Sequence, residues 1–294
     1  MSNTQDLVGA LCERWHTRIP SLAIVRAVED SFPELVELPP PTKLMPLAAK
    51  RGITRVETTD LKADGLIFET EAGTFTVRVN RRHSAARRRF TCAHEIGHTF
   101  FFELEPSRAE RLHYEDAKLG GVSGSADVES LCNVAAAEIL MPYGQITPLV
   151  RDFGVGATAL SRVSATFRVS LQAAARRIVQ VSHIRLAVVM WQQVGRQFRP
   201  AWSVGRTIPR DGDEVLAVSE QDPAYSVFMQ EGQFARRLWI SLGGPLDEYF
   251  VDGLALVGRD GRRVLSVFVL DKAPERALSR RIERVRSVEQ LPLF

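Results

Sequence analysis

Three cysteines in 294 residues, Cys12, Cys92 and Cys132, are too few and too widely spaced for a disulfide framework or a CxxC metal knuckle. Any metal must therefore rely mainly on other donors. No stretch approaches the roughly 20 apolar residues that cross a bilayer. The opening MSNTQDLVGALCERW also lacks the basic start and apolar run of a secretory leader. These absences predict a cytoplasmic protein with no membrane partner. Lysine is scarce too: only five of the 38 basic residues are lysine, and the arginines bunch at Arg81–Arg82, Arg87–Arg88–Arg89 and Arg280–Arg281. A net charge of +3 is mild, so these clusters read either as solvated faces with local ion pairs or as contacts to phosphates and acidic partners. Neither an internal repeat nor a low-complexity tract is present.

What the chain does have is apolar content, 45% of its residues, enough for one large core or two to three small ones. Residues 4–15 pattern as an amphipathic helix and 21–32 as a second. ELPPPTKLMPLAAKRG follows, and its prolines predict a non-helical connection. ITRVETTDLKADGLIFETEAGTFTVRVN alternates in β-rich residues, with turn signals at Ala63–Asp64–Gly65 and Glu71–Ala72–Gly73, so a small antiparallel sheet is expected. The period becomes helical over 84–103, and GGVSGS separates this stretch from a second helix, DVESLCNVAAAEIL, stopped at Met141–Pro142. ATALSRVSATFRVSLQAAARRIVQ reads as helix, short turn, helix, resembling a helix-turn-helix. Strands return from His183, with a helix expected around 224–237 and two closing strands, GLALVGRDG and RRVLSVFVL. The expected architecture is α+β in three parts: residues 1–150 with the small sheet and two long helices, a helical segment 151–182, and a separate α+β domain 183–294.

The chemistry concentrates at His94-Glu95-Ile96-Gly97-His98, an HExxH pattern. A helix turns about 100° per residue, so the two histidines lie one turn apart on one face and both imidazoles can reach one ion. A zinc hydrolase needs protein ligands that leave a coordination position open. Glu95, beside the first ligand, is placed to act as general base. Five residues can match by chance, so the surroundings decide. Phe90, Cys92, Ala93, Ile96, Phe100 and Phe101 make this helix apolar almost all round, as a buried helix is. Two histidines and a glutamate buried there would be costly without a compensating partner. The second helix offers a third ligand in Glu129, one turn before Asn133, with Asp127 and Glu138 as competing carboxylates.

FTCAHEIGH followed by ESLCNVAAAEILMP resembles the ImmA/IrrE group of metallopeptidases, most firmly from Phe75 to Pro142. The resemblance implies a zincin-like fold and maps the third metal ligand onto Glu129. It also implies cleavage of a partner helix-turn-helix (XRE-like) repressor, relieving repression after DNA damage or another stress. The longer IrrE form ends in a GAF-like domain, which would here be a sensor for a small-molecule effector or nucleic acid. Zn2+ is the expected ion, and Mn2+ also suits two histidines and a carboxylate.

Other candidates carry less. Cys92 lies about 200° around the helix from His94 and reads as a core thiol. Cys132 shares the face of Glu129, where packing beside the metal and ligation are both open. His113 and Tyr114, in the polar connection, can donate towards a transition-state oxyanion if a loop carries them in. His16, His83 and His183 stand alone. In LQAAARRIVQ only Gln172, Arg176, Arg177 and Gln180 are polar enough to read DNA. Trp191, Trp202, Trp239, Tyr225 and Phe228 serve either as core or as a ligand pocket. The rival function is a DNA-binding regulator with a structural or vestigial metal site. Retention of Glu95 counts against it, because a structural site needs no base.

Overall fold

The computed structural model describes residues 4–71, 73–104, 126–205, 217–230, 232–242, 247–258 and 261–270. Their elements are helices α1 (Thr4–Arg14), α2 (Pro20–Ser31) and α3 (Leu44–Lys50), strands β1 (Ile53–Thr59), β2 (Gly65–Glu71) and β3 (Thr74–Asn80), and helices α4 (Ala85–Phe102), α5 (Ala126–Leu140), α6 (Tyr143–Phe153), α7 (Ala157–Phe167) and α8 (Leu171–Val181). Strands β4 (Leu186–Val194), β5 (Gln197–Val204) and β6 (Val218–Ser219), helix α9 (Pro223–Phe228), and strands β7 (Gly232–Ile240), β8 (Asp247–Gly258) and β9 (Gly261–Val269) complete them. The chain forms two compact units. One comprises the described residues up to Gln145 together with Thr166–Ser170; the other comprises Ile146–Ala165 and the described residues from Leu171 onward.

In the first unit the three-stranded sheet has the order β1-β3-β2. The hairpin β2–β3 is antiparallel, but β1 runs parallel to β3, so the sheet is mixed rather than antiparallel. The reason lies in burial. Strand β3 carries Phe75, Val77 and Val79 inward and takes the centre, whereas β1, with three of its seven positions exposed, is suited to an edge. Helix α4 begins where Ser84 Oγ accepts the backbone N–H of Arg87, a standard N-cap, and it packs against β2, β3 and α5. Helix α2 contributes Ala23, Ile24, Ala27 and Val28 to the same core and also packs on α5.

The proline-rich connection is partly helical, contrary to expectation: Leu44–Lys50 is a helix, and a 3-10 turn, Pro33–Val36, precedes the connection. Pro46 falls in the first turn of α3, where a missing N–H costs nothing. Helix α6, which follows Met141–Pro142 directly, is a second element the pattern did not announce.

In the second unit six strands form one sheet of order β6-β5-β4-β9-β8-β7, every neighbouring pair antiparallel. One face carries Ala187, Val189, Trp191, Val264 and Phe268 into a cluster with Phe198, Phe228 and Phe234. Helix α8 packs on β4 and β5, burying Ala174, Ala175, Ile178 and Val181. The helix expected over 224–237 stops at Phe228, and β7 begins at Gly232, whose positive φ of 93° turns the chain. Asp252, on β8, accepts the backbone N–H of Ala157 at 2.8 Å and so holds the start of α7. Burial pushes its carboxyl up to about 6. Gly156 is required there, because a Cβ would sit 2.6 Å from Asp252 Oδ2.

Candidate metal centre and catalytic glutamate

Helices α4 and α5 meet at Gly97. A Cβ on this glycine would lie 3.1 Å from Cys132 Cα and 3.2 Å from Cys132 O, so the absence of a side chain sets how closely the helices approach. That approach brings Glu129 over both histidines. Its Oε2 lies 3.1 Å from His94 Nε2 and its Oε1 3.5 Å from His98 Nε2. Two atoms each about 2.05 Å from a tetrahedral zinc are roughly 3.3 Å apart, so these separations suit a shared ion. His94 and His98 expose 14% and 15% of their side chains and Glu129 36%, so the donors are sheltered yet reachable from solvent.

The far nitrogens are occupied as well. His94 Nδ1 faces Asn133 Oδ1 at 3.1 Å, and His98 Nδ1 faces Cys132 Sγ at 3.5 Å. An imidazole that donates Nδ1–H to a neighbour presents the Nε2 lone pair to a metal. Cys132 also belongs to a possible donor set with the two histidines, with ligand atoms within 4.8 Å of one another. Its sulfur, however, meets His98 at Nδ1, whereas the Glu129 carboxylate meets that ring at Nε2. Burial opposes protonation of His94, but Glu129, Glu95 and Asn133 outweigh it and raise its pKa. A carboxylate and two imidazoles drawn together in this way favour a positive charge between them.

Glu95 is buried beside this cluster. Burial, chiefly, pushes its carboxyl up to about 7, against the pull of His94 and with the help of Glu129 and Asp64. A bound cation would pull it back down. Strand β2 comes so near that a Cβ on Gly65 would lie 3.1 Å from Glu95 Oε1; the glycine leaves space at the carboxylate.

Of the competing carboxylates, Asp127 is exposed. Glu138 is buried and accepts the backbone N–H of Tyr143 at 2.7 Å, tying α5 to α6. Cys92 is a buried thiol, pushed up to about 12 first by burial and then by Glu95. His113 and Tyr114 lie outside the described residues. The roles of Asn133 and Cys132 at the far ring nitrogens follow only from the register between the two helices, which no spacing within one helix encodes. Arg177, one of the four residues polar enough to read DNA, is buried in α8. Trp191 and Phe228 are core residues, whereas Trp239 is 49% exposed.

An HExxH helix, a second helix bearing a glutamate and an asparagine, and a small sheet at the glutamate of the motif define a domain of metallopeptidase type. Residues 48–179 match the model of the IrrE N-terminal-like domain, peptidase family M78. The match covers somewhat less than half of the chain and supports an ImmA/IrrE-type domain over those residues. Among curated relatives, the radiation response metalloprotease IrrE of Deinococcus radiodurans is 36% identical over 100 residues, 33% of this chain and 29% of that protein. Its counterpart from Deinococcus deserti is 35% identical over 100 residues, 33% and 34% of the respective chains. The match thus spans about a third of the length of these relatives. A Mycobacterium tuberculosis transcriptional regulator of known structure covers 91% of this chain and 94% of its own, with a TM-score of 0.49 and 15% identity, too loose a likeness to fix a role. No helix among the described residues is long and apolar enough to cross a membrane.

Proposed function

We propose that this protein is a zinc-dependent endopeptidase that cuts a partner helix-turn-helix (XRE-like) repressor and so relieves repression under DNA damage or another stress. The observation that carries the reading is the convergence of His94 Nε2 and His98 Nε2 on the Glu129 carboxylate, with Glu95 buried alongside. His94, His98 and Glu129 are assigned as ligands of Zn2+, with Mn2+ an acceptable substitute. Glu129 is preferred to Cys132 because the sulfur faces the nitrogen of His98 that the ion does not use. Two imidazoles and one carboxylate are the donor set of a catalytic rather than a structural zinc site.

When bound, the ion supplies Lewis acidity towards water and the scissile carbonyl. Asn133 and Cys132 hold the two rings in the tautomer that turns Nε2 inward. Glu95 takes a proton from the attacking water onto its carboxylate and passes it to the departing amine nitrogen. The six-stranded sheet and its helix α9, within residues 183–294, are assigned as the GAF-like sensor domain, preceded by the helical segment 151–182. A small effector or nucleic acid acting there controls access to the cleft, which protects other cytoplasmic proteins from an open peptidase.

The test is incubation of the zinc-loaded protein with a helix-turn-helix repressor encoded beside it. Cleavage by the native protein and its loss in Glu95→Gln support the reading. Cleavage unchanged by Glu95→Gln would sink the mechanism, and no cleavage under any inducing condition would favour the DNA-binding alternative. Separately, Glu129→Ala should sharply reduce zinc content while Glu138→Ala, if folded, retains it; the reverse would move the ligand.

A further inference from the structure

The turns around the start of α4 carry an excess of positive charge. The β1–β2 connection, residues 60–64, holds Asp60, Lys62 and Asp64, and the β3–α4 connection with the first helical turn holds Arg81, Arg82, Arg87 and Arg88. One carboxylate serves two arginines: Arg81 Nε lies 3.4 Å and Arg82 Nε 3.2 Å from the two oxygens of Asp60. Asp64 pairs with Arg87 and, at 3.3 Å, with Nε2 of His83. Arg88 donates to the backbone carbonyls of Arg81 and His83 and meets no carboxylate among the described residues. The exposed Lys62 has no partner among them either. Five basic side chains thus stand against two carboxylates, an excess of three. The charge faces solvent, since Arg81, Arg82 and Arg87 expose 59%, 76% and 54% of their side chains.

This patch adjoins the ligand cluster. Arg87 precedes His94 by two helical turns, so the two lie within about 20° of the same face of α4 and roughly 10 Å apart along its axis. Asp64, the partner of Arg87, is followed by Gly65, whose missing Cβ leaves space beside Thr91 and at Glu95 Oε1. The start of β2 therefore links the charged turns to the carboxylate of the motif. An extended chain advances about 3.3 Å per residue. A peptide whose scissile bond lies at Glu95, and which runs along this face of α4, brings a residue about three positions away to Arg87.

We propose that Lys62, Arg81, Arg82, Arg87 and Arg88 form a subsite for an acidic segment of the protein substrate, about three residues from the bond that is cut. The inference rests on the peptidase reading and adds to it the charge of the substrate. Aspartate or glutamate side chains of the segment accept from the exposed guanidiniums, the pairing for which an arginine fork is built. Asp60 and Asp64 hold the arginines in place. A nucleic acid would meet the same net charge, but its phosphates form a dense, continuous row, and the two carboxylates standing among the arginines repel such a row. Single acidic side chains can seat between them. The excess charge also draws an acidic segment towards the cleft before contact is made.

The test uses the full-length, zinc-loaded protein and fluorescein-labelled decaglutamate, with decaglutamine as the neutral probe, read by fluorescence anisotropy. Decaglutamate should bind more tightly than decaglutamine at about 0.01 M salt, and the preference should vanish near about 1 M, where the screening length falls to about 3 Å. Arg82→Gln and Arg87→Gln should each weaken decaglutamate about twofold to fivefold, as loss of an exposed ion pair does. The triple variant that adds Arg81→Gln should weaken it about tenfold or more, with melting temperature and zinc content as in the native protein. Arg14→Gln should leave binding unchanged, because that exposed arginine faces Glu103 at the opposite end of α4. In cleavage of the repressor, the triple variant should raise KM and leave kcat as it was. Anisotropy needs no cleavage, so a protein that cuts no repressor fails the peptidase reading while these affinities still decide the subsite. Decaglutamate bound no better than decaglutamine, binding unaffected by the triple variant, or cleavage with an unchanged KM overturns the proposal. A short DNA duplex held more tightly than decaglutamate through the same arginines overturns it as well and gives the patch to nucleic acid.

Discussion

Replacing Gly97 with alanine sets two effects of opposite sign against each other. Within a helix, alanine is favoured over glycine by about 1 kcal/mol, so a Gly97 whose surroundings had room would become more stable on substitution. The surroundings have none. The new Cβ would meet the Cα and carbonyl of Cys132 at 3.1 and 3.2 Å and the Ala135 methyl at 3.3 Å. Two of these are backbone atoms of α5, which yield only if the helix moves by a few tenths of an ångström. Overpacking of this kind costs about 1 to 3 kcal/mol, so the net effect is a loss of about 0 to 2 kcal/mol. The same shift carries Glu129 away from His94 and His98. Disturbing the geometry around metal ligands typically costs about tenfold to a hundredfold in affinity. Competition with a chromogenic chelator should therefore show zinc held at least about tenfold more weakly by Gly97→Ala, with metal-free unfolding changed little. A variant more stable than the native protein and equal to it in zinc affinity would refute the claim that Gly97 sets the helix spacing.

Other outcomes follow from the same structure. Asn133→Ala frees the His94 ring at Nδ1 and should lower zinc affinity about tenfold or more, read by equilibrium dialysis; unchanged affinity would remove Asn133 from the site. The Asp252 carboxyl is raised from 3.8 to about 6 by burial, so its stabilising contribution is complete below pH about 4 and is lost as pH rises through about 6. That is a loss of about 3 kcal/mol. Asp252→Asn keeps an acceptor for the N–H of Ala157, so its melting temperature relative to the native protein should climb between pH 5 and 7.5, and a constant difference would contradict the assignment. Ser266 Oγ is fully buried and unpaired among the described residues; Ser266→Ala should raise the melting temperature, by an amount corresponding to about 1 kcal/mol, and a drop would mean the hydroxyl has a partner.

Part of the candidate site was legible because its information is local. The apolar surroundings of His94 and His98 and the one-turn spacing of the histidines lie within a single helix. Glu129 could be ranked above Asp127 and Glu138 only by resemblance, because the choice depends on how α5 is rotated against α4, and that is set by Gly97 against Cys132. The mixed sheet was missed for a similar reason. Ile53–Thr59 looks like the first half of a meander, yet β3 inserts between it and β2, a long-range pairing that alternation does not reveal. In the second unit Ala224–Arg237 contains enough helix formers to extend the helix on paper. Gly232 and the pairing of β7 with β8 override that propensity.

The short segment Thr166–Ser170 has a consequence for how the molecule can be taken apart. The backbone leaves the first unit after Gln145, returns for these five residues bearing the buried Phe167 and Val169, and leaves again. The units are therefore sewn together by three passages of chain rather than strung on one linker. A stop codon after residue 150 would deliver the first unit with its last stitch pulled out, without the buried Phe167 and Val169. A protease nick at one crossing would leave the halves still joined through what remains. Only a design that rebuilds the returning turn can be expected to yield the first unit as a separate, stably folded body.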